Sequence, residues 1–224
     1  MIAGGDSESL RTGLRALATL GRAAPLDLAA FAGLTGLTLA AGSSFLGVFE
    51  SHGYARRVPG GSIFVLTRLG FDLLGEGNAA GRLVSEAIEP ITGLSKRLDH
   101  DLTLSLPVAE KLLVCVVAGK SGNLPRSGDR QDMPRAVERL LATSTADGHS
   151  FCTDERGARL DVRVPLSNQS SAILAVHAPA SANPQVLQEL LPAMERLART
   201  LAQRHDSGLQ AQYPAIKSSS RLLH

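Results

Sequence analysis

The sequence contains no tryptophan, and aromatic residues make up only 4% of its 224 positions. Aliphatic side chains must therefore build the interior. Hydrophobic residues account for 44% of the chain, which is enough for cores made of Leu, Val and Ala. The net charge is only +2, so the molecule as a whole has no electrostatic preference for a polyanion. This length fits one large domain or two smaller ones.

Cysteines and long apolar segments are also scarce. Cys115 and Cys152 lie in or beside apolar sequence without a paired spacing, and we expect buried free thiols in a reducing cytoplasm. The longest apolar run, residues 112–118, is far shorter than the ~20 residues that span a bilayer. The opening MIAGGDSESL has no basic region followed by an apolar block, so no signal peptide is predicted. We expect a cytoplasmic protein without a membrane partner.

Sequence signatures of catalysis are missing as well. The chain has no P-loop and no glycine-rich dinucleotide turn. His100, His149 and His177 lack the spacing of metal ligands, and neither cysteine has an activating base nearby in the sequence. We therefore expect no metal, no cofactor and no enzymatic activity.

The first third of the chain has the pattern of a winged helix–turn–helix. A stripe of leucines predicts a first helix that Ser7 or Ser9 caps and Gly21 ends. Gly36 then suits a turn that requires positive φ, and Thr38 is the predicted cap of a third helix. Two β-prone runs on either side of a Pro-Gly-Gly sequence predict the hairpin. The leucines of the stripe are Leu10, Leu14, Leu17 and Leu20.

The remainder of the chain has a different pattern of apolar residues. Residues 78–99 predict a linker helix, which Pro90 should kink or split. Alternating and continuous apolar runs beyond it predict strands before a long closing helix. The predicted class is α+β, with a winged helix–turn–helix over 7–77, helices on one side of an antiparallel sheet over 100–205, and an irregular tail over 206–224.

Five segments, in this order, are similar to the IclR family of bacterial transcriptional regulators over about residues 7–204. They are SLRTGLRALATL, LDLAAFAGLTGL leading into FLGVFESHGYARR, AIEPITGLSKRL, LTLSLPVAEKLLVCVVA, and VPLSNQSSAILAVHAPAS before a long helix. The resemblance implies a GAF-like effector domain and a homodimer formed through the first and linker helices, often paired into a tetramer. Members bind operator DNA and respond to a small metabolite, often a carboxylate or aromatic catabolite.

Two features depart from the family pattern. The recognition helix has no Lys or Arg between Leu37 and His52, and residues 1–80 carry six basic and six acidic side chains, a net charge of zero. Because DNA affinity depends on neutralising phosphates, we expect weak DNA binding. The loop and helix between the two strand pairs are also shorter than is usual in the family. The family's ligand specificity therefore does not transfer.

Candidate contacts follow from these positions. The two adjacent arginines of the hairpin could grip phosphates, and a serine can reach a base or a phosphate. The DNA-binding candidates are Thr38, Ser43, Ser44, Arg56, Arg57 and Ser62. The effector-binding candidates, chosen by strand alternation and family position, are Thr103, Ser105, Leu106, Val114 and Val164. Two functions remain open: a ligand-responsive regulator that binds double-stranded DNA, or a small-molecule sensor or interaction partner of the same fold that has largely lost DNA binding.

Overall fold

The chain folds into a helical N-terminal unit followed by a six-stranded antiparallel sheet with its own helices. This mixed architecture confirms the predicted α+β class. The structure is a computed structural model, which describes residues 4–74, 79–121, 124–142, 148–154, 157–166, 170–179 and 184–212.

The N-terminal unit is a winged helix–turn–helix. Its three short strands form one antiparallel sheet in the order β1-β3-β2, and β2 and β3 are the two arms of the hairpin. The elements of this unit are α1 (Gly4–Ala23), β1 (Leu26–Asp27), α2 (Leu28–Thr35), α3 (Leu39–Ser51), β2 (Ala55–Arg57), β3 (Ile63–Leu66) and α4 (Arg68–Leu74).

Local capping chemistry fixes the ends of α2 and α3. The Asp27 carboxylate accepts a hydrogen bond from the Ala30 backbone N–H at 2.7 Å, which caps α2. Gly36 adopts φ 70° after α2, a left-handed conformation that glycine adopts without steric cost. The Thr38 hydroxyl accepts from the Ala41 N–H at 3.2 Å and caps α3. The predictions for Gly36 and Thr38 are confirmed.

The second unit is a single sheet with three helices. Its strand order is β6-β5-β4-β9-β8-β7, and every neighbouring pair is antiparallel. The elements are α5 (Ala79–Leu98), β4 (Asp101–Val108), β5 (Lys111–Ala118), β6 (Arg130–Asp132), α6 (Arg135–Ala142), β7 (His149–Asp154), β8 (Gly157–Pro165), β9 (Ser171–Ala178) and α7 (Pro184–Gln212).

The helices of this unit cover both faces of the sheet. Leu174 of β9 belongs to the large core that includes side chains of α5 and α7. Its neighbour Ile173 instead packs with Val137 and Leu140 of α6. Because successive side chains of a strand point to opposite faces, α6 lies across the sheet from α5 and α7. The expectation that all helices lie on one side is therefore wrong.

Packing also moves several helix boundaries. Helix α1 starts before Ser7 and Ser9 and continues past Gly21, because the buried Leu20 holds its last turns against the core. Helix α5 continues through Pro90 as one element. Buried side chains on both sides of Pro90 keep the helix docked there despite the lost backbone donor.

The closing helix is longer than the sequence predicts. Helix α7 continues to Gln212, six residues beyond the predicted start of the irregular tail, because the buried Leu201 and His205 keep it against the domain. The rest of that predicted tail, residues 213–224, lies outside the described residues. The strands β1, β6 and β7 were not predicted either, and each of them exists by pairing with one neighbouring strand.

Candidate functional site

Helix α3 presents a small, uncharged outer face. Leu46 and Phe49 point into the core, which leaves Ser43, Ser44 and Val48 exposed on the opposite side. The Ser44 hydroxyl donates to the Ala40 carbonyl at 3.0 Å, whereas the Ser43 hydroxyl is exposed. The exposed serines can therefore offer donors and acceptors to a partner that approaches this helix closely.

The predicted contact Thr38 lies at the first turn of the same helix. Thr38 is exposed, but its hydroxyl oxygen already accepts the capping hydrogen bond from the Ala41 N–H. A hydroxyl has a second lone pair and one proton, so capping leaves the donor available. Thr38 thus has a structural role that does not exclude a contact with a ligand.

Arg56 points inward, toward the second unit. Its guanidinium donates to the backbone carbonyl of Ser85 in α5, and Nη2 lies 3.3 Å from the Ser85 hydroxyl. Burial lowers the pKa of Arg56 from its ordinary value, and the charge of Glu89 opposes that shift. In this position Arg56 fastens the hairpin to α5 and does not extend into solvent.

Arg57 is the exposed arginine of the hairpin. Its guanidinium carbon lies 4.8 Å from the centre of the Phe64 ring on the neighbouring strand, a cation–π contact. Its backbone N–H donates to the Glu50 carboxylate at 3.0 Å, which connects the hairpin to the end of α3. Because successive residues of β2 point to opposite sides, Arg57 extends outward where Arg56 extends inward.

Ser62 lies at the tip of the hairpin, beside the second unit. Its side chain is exposed, while its backbone N–H donates to the Ser127 carbonyl at 3.1 Å. Gly61 forms an isolated parallel β-bridge with Ser127. The tip of the hairpin therefore contacts the loop between β5 and β6.

The five effector-binding candidates are divided between the two faces of the sheet. Leu106 and Val164 belong to the core that α5 and α7 cover. Ser105 is adjacent to Leu106 in β4 and points the other way, and its register partner Val114 shares its face. Thr103 lies on that same face, so Thr103, Ser105 and Val114 can line one site, whereas Leu106 and Val164 pack against the helices.

A polar cluster occupies the face of Thr103. The Thr103 hydroxyl lies 2.9 Å from Nε2 of His177 on β9. On β8, Nε of Arg159 lies 2.9 Å from Oδ1 of the fully buried Asp161. Burial raises the pKa of Asp161, and the neighbouring Arg159 opposes that shift through its charge and its hydrogen bond. We call this surface, defined by Thr103, Ser105, Arg159, Asp161 and His177, the polar face.

Three buried polar atoms at this cluster lack hydrogen-bond partners within the described ranges. They are Nη2 of Arg159, Oδ1 of Asp161 and the hydroxyl oxygen of Ser150, which lies opposite Asp161 in the register of β7 and β8. Unpaired buried polar atoms are rare because each costs about 1–3 kcal/mol. The cluster can therefore accept a hydrogen-bonding ligand at low cost in desolvation.

This cluster is not among the candidate sites that the sequence predicts. Its signal is the strand segment RLDVRVP, in which the charged residues Arg159, Asp161 and Arg163 alternate with apolar ones. An alternating strand of that composition has one apolar and one charged face. The charged face lies on the side of the sheet that α6 covers, and only this tertiary packing marks the charges as a site.

The remaining chemical groups give no sign of a reactive centre in the described part of the chain. Burial raises the pKa of the Cys115 thiol to about 12, so it is not a thiolate at neutral pH. Among the described residues, no three His, Cys, Asp or Glu side chains are arranged to hold a metal ion. Taken singly, no described helix is long and apolar enough to cross a membrane; α2 and α3 meet that test only as a pair, bent by 106°.

Comparison with known proteins finds similarity at the level of structure only. No protein-family model matches this chain, and no curated protein matches it in sequence. Solved structures of IclR-family transcriptional regulators are similar to it over about nine tenths of the chain.

Three of these structures illustrate the degree of similarity in sequence identity, coverage and TM-score. A candidate transcriptional regulator from Rhodococcus sp. RHA1 is 17% identical, with 89% of this chain and 98% of that chain covered and a TM-score of 0.45. The IclR of Thermotoga maritima is 13% identical, with coverages of 89% and 99% and a TM-score of 0.43. An IclR homologue from Microbacterium hydrocarbonoxydans, in complex with 4-hydroxybenzoate, is 13% identical, with coverages of 90% and 99% and a TM-score of 0.41. At these identities and scores the architecture of this chain rests on its own elements and contacts.

Proposed function

We propose that this protein is a transcriptional regulator of the IclR type, which binds double-stranded DNA as a homodimer and responds to a small molecule on its polar face. The observation that carries this proposal is the outer face of α3. It lies in the second helix of a helix–turn–helix, beside a hairpin, and it carries exposed hydroxyl groups together with the exposed apolar side chains of Leu39 and Val48. In such units this helix enters the major groove.

The chemistry of α3 suits close approach to base edges and gives little affinity. Ser43 and Ser44 can each hydrogen-bond a base or a phosphate, and neither selects strongly among bases. The one exposed cation of the hairpin strands is Arg57, which can reach a phosphate next to the groove. With so few cations, a monomer would bind DNA poorly, and two copies on a two-fold symmetric site are needed.

The exposed leucines of α1 support the homodimer. Leu17 and Leu20 are buried, but Leu10 and Leu14 on the same helix are 65% and 52% exposed. Both side chains lie on one stripe of the helix, and burying each of them would contribute roughly 1.5–3 kcal/mol. A second copy of α1 offers a matching apolar stripe, and a pairing of the two dimers into a tetramer remains compatible with this arrangement.

The polar face supports the effector site. The unpaired Nη2 of Arg159 is a donor, and the hydroxyl of Ser150, which lies opposite Asp161 on the neighbouring strand, is both donor and acceptor. A small carboxylate satisfies both, because a carboxylate oxygen accepts from the guanidinium and from the hydroxyl. Asp161 already balances the charge of Arg159, so a ligand that also carries a hydroxyl or another donor fits better than a bare anion. A hydroxy acid meets this description.

DNA binding is tested by fluorescence anisotropy with two labelled duplexes of equal length. One comes from the region upstream of the protein's own gene, and the other is a shuffled sequence. We expect the upstream duplex to bind more tightly than the shuffled one at about 50 mM salt, and both to weaken steeply toward about 200 mM. Equal affinity for the two duplexes would refute sequence-specific regulation.

A specific observation favours a second candidate, a sensor or interaction partner that has lost DNA binding. Residues 1–80 have a net charge of zero, from six basic and six acidic side chains, and α3 contains no lysine or arginine. Such a protein would still bind its ligand on the polar face. The same titration separates the two functions, since the second candidate binds neither duplex at about 50 mM salt.

A further inference from the structure

The tip of the hairpin is clasped by a loop of the second unit. We define the wing tip as residues 59–62 and the clasp loop as residues 124–129, between β5 and β6. Gly61 of the wing tip forms a parallel bridge with Ser127, and the Ser62 N–H donates to the Ser127 carbonyl at 3.1 Å. Two adjacent residues of the wing tip thus contact a single residue of the clasp loop.

The contact is so close that glycine is required on both sides. A Cβ at Gly61 would lie 2.1 Å from the Ser127 Cβ and 2.3 Å from its carbonyl oxygen. A Cβ at Gly128 would lie 2.9 Å from the Ser62 hydroxyl oxygen, and Gly128 also has φ 102°, which other residues rarely adopt. A Cβ at Gly61 would meet the backbone and the Cβ of Ser127, which cannot yield by turning a side chain.

The clasp loop is itself fastened to strand β5. The Ser127 hydroxyl donates to the Cys115 carbonyl at 2.7 Å, and Ser127 is 2% exposed. The Gly128 N–H donates to the Val114 carbonyl at 2.8 Å, and the Val114 N–H donates to the Asp129 carbonyl at 2.9 Å. Val114 lies opposite Ser105, so the loop that holds the wing tip is anchored on β5 next to one residue of the polar face.

Docking on the clasp loop restricts the part that the wing tip can play on DNA. A wing contacts the phosphate backbone or the minor groove beside the recognition helix, so its tip must be free to approach the duplex. Pro59, Gly60 and the Ser62 side chain are exposed, but the tip is held against the second unit. Here Gly61 and the Ser62 amide are covered by Ser127. The bond between Arg56 and Ser85 holds the base of the same hairpin against α5.

We propose that the clasp loop is an autoinhibitory element, which holds the wing tip off DNA until the loop is displaced from β5. This inference rests on the proposed DNA-binding function. Because Val114 of β5 lies opposite Ser105 of the polar face, a ligand on that face can act on the clasp loop through the intervening strands of the sheet.

The test is Gly61→Ala, which makes docking sterically impossible without straining the free hairpin, since Gly61 does not have a positive φ. Gly33→Ala is the matched control, because a Cβ at Gly33 meets nothing within 4 Å. Amide hydrogen exchange at Ser62 reports docking. We expect a protected Ser62 amide in the parent and in the control, and at least tenfold faster exchange in Gly61→Ala.

DNA binding is measured on the same three proteins with the upstream and shuffled duplexes. If docking suppresses the competent population about tenfold, Gly61→Ala should bind both duplexes about tenfold more tightly than the parent, and the control should match the parent. Circular dichroism confirms that each variant is folded. Ser127→Gly, which removes the Cβ that abuts Gly61 and the hydroxyl that holds the loop, should change exchange and affinity in the same direction.

Three results would overturn the proposal, and they are distinguishable. A Ser62 amide that exchanges freely in the parent removes the docking itself. Faster exchange in Gly61→Ala with unchanged DNA affinity shows that docking occurs and does not inhibit. If no protein binds either duplex while exchange follows the expected pattern, the proposed DNA-binding function fails and inhibition fails with it, although the docking stands.

Discussion

Replacing Arg57 with alanine should weaken DNA binding in a salt-dependent way. Arg57 is exposed and lies over Phe64 at 4.8 Å. Each lost phosphate contact lowers the salt slope by about 0.9, so a dimer that loses two contacts should lose about 1.8. A fourfold rise in salt would then shrink the advantage of the parent over the variant by about twelvefold. The stability cost should be small, about 0.5–1 kcal/mol, because only an exposed cation–π contact is lost.

Arg56→Ala should have the opposite effects: a larger loss of stability and an unchanged salt dependence of DNA binding. Its guanidinium bonds the carbonyl and approaches the hydroxyl of Ser85, so the substitution leaves these acceptors without their donor. Hydrogen bonds to a charged group contribute about 1.5–3 kcal/mol, and partial exposure reduces this to about 1–2 kcal/mol. The DNA salt slope of Arg56→Ala should remain that of the parent.

Anisotropy titrations at four salt concentrations and urea unfolding of each variant measure the two effects. Arg68→Ala is the matched control. The Arg68 side chain is 96% exposed, and the substitution removes one positive charge from α4 and none from the strands of the hairpin. A salt slope that falls in Arg56→Ala and stays unchanged in Arg57→Ala would refute the assigned directions of the two side chains.

Four further substitutions probe other parts of the molecule. Burial raises the pKa of Asp161. The stability that this carboxyl contributes is therefore present below its unfolded pKa of 3.8 and is lost as pH rises through its folded pKa. In urea unfolding, Asp161→Asn should show a flatter decline of stability with pH than the parent. Burial lowers the pKa of His205, and the charge of Asp206 opposes that shift. The parent should therefore lose stability as pH falls from 6.5 through the folded pKa of His205, and thermal melts of His205→Leu should lack this loss. Leu14→Glu should convert the proposed dimer to a monomer in sedimentation, since it places a charge on the exposed stripe of α1. Ser44→Ala should change preference among DNA sites by about 1 kcal/mol or less in competition binding, because a serine makes one undemanding hydrogen bond.

Each of these has an outcome that contradicts it. Parallel pH profiles of the parent and Asp161→Asn would mean that the carboxyl titrates normally in the folded protein. A parent that keeps its full stability well below pH 6.5 would remove the role given to His205. Sedimentation of the parent as a monomer at micromolar concentration would exclude the interface on α1, and a change of several kcal/mol in Ser44→Ala would mean that this hydroxyl has a far larger part in recognition.

Local chemistry explains which parts of the fold could be predicted. Asp27, Gly36 and Thr38 act within one turn of their own positions, and the sequence contains all that is needed to place them. Strand β1 is only the two residues Leu26–Asp27, and it exists because Ile63 and Phe64 lie opposite. No pattern within two residues can announce a partner that is more than thirty positions away in the chain.

The two arginines show the same limit in the candidate site. Arg56 and Arg57 are adjacent and chemically identical, and β alternation alone predicts that they point to opposite sides. Which of them points inward depends on Ser85, which α5 brings to the hairpin across 29 positions of sequence. The effector candidates failed to share one face for a related reason. Ser105 and Leu106 were chosen together, although adjacent residues of a strand cannot line the same pocket.

The polar face required tertiary structure to be recognised. Arg159 and Asp161 are ordinary surface charges for a solvent-facing strand, and the burial of Asp161 follows from the sheet order and from what covers that face. The clasp loop likewise depends on the meeting of two segments more than sixty positions apart, Gly61 and Ser127. Long-range contacts of this kind leave no periodicity in the sequence.

The most direct test of sequence-specific DNA recognition is selection of bound duplexes from a randomised library by the full-length protein at low salt, followed by sequencing. Two copies of α3 in a symmetric dimer should enrich an inverted repeat whose half-sites lie about one helical turn apart or a multiple of it. Enrichment should persist in Gly33→Ala and increase in Gly61→Ala. A selected pool with no motif beyond that of the starting library would contradict DNA recognition by this winged helix–turn–helix.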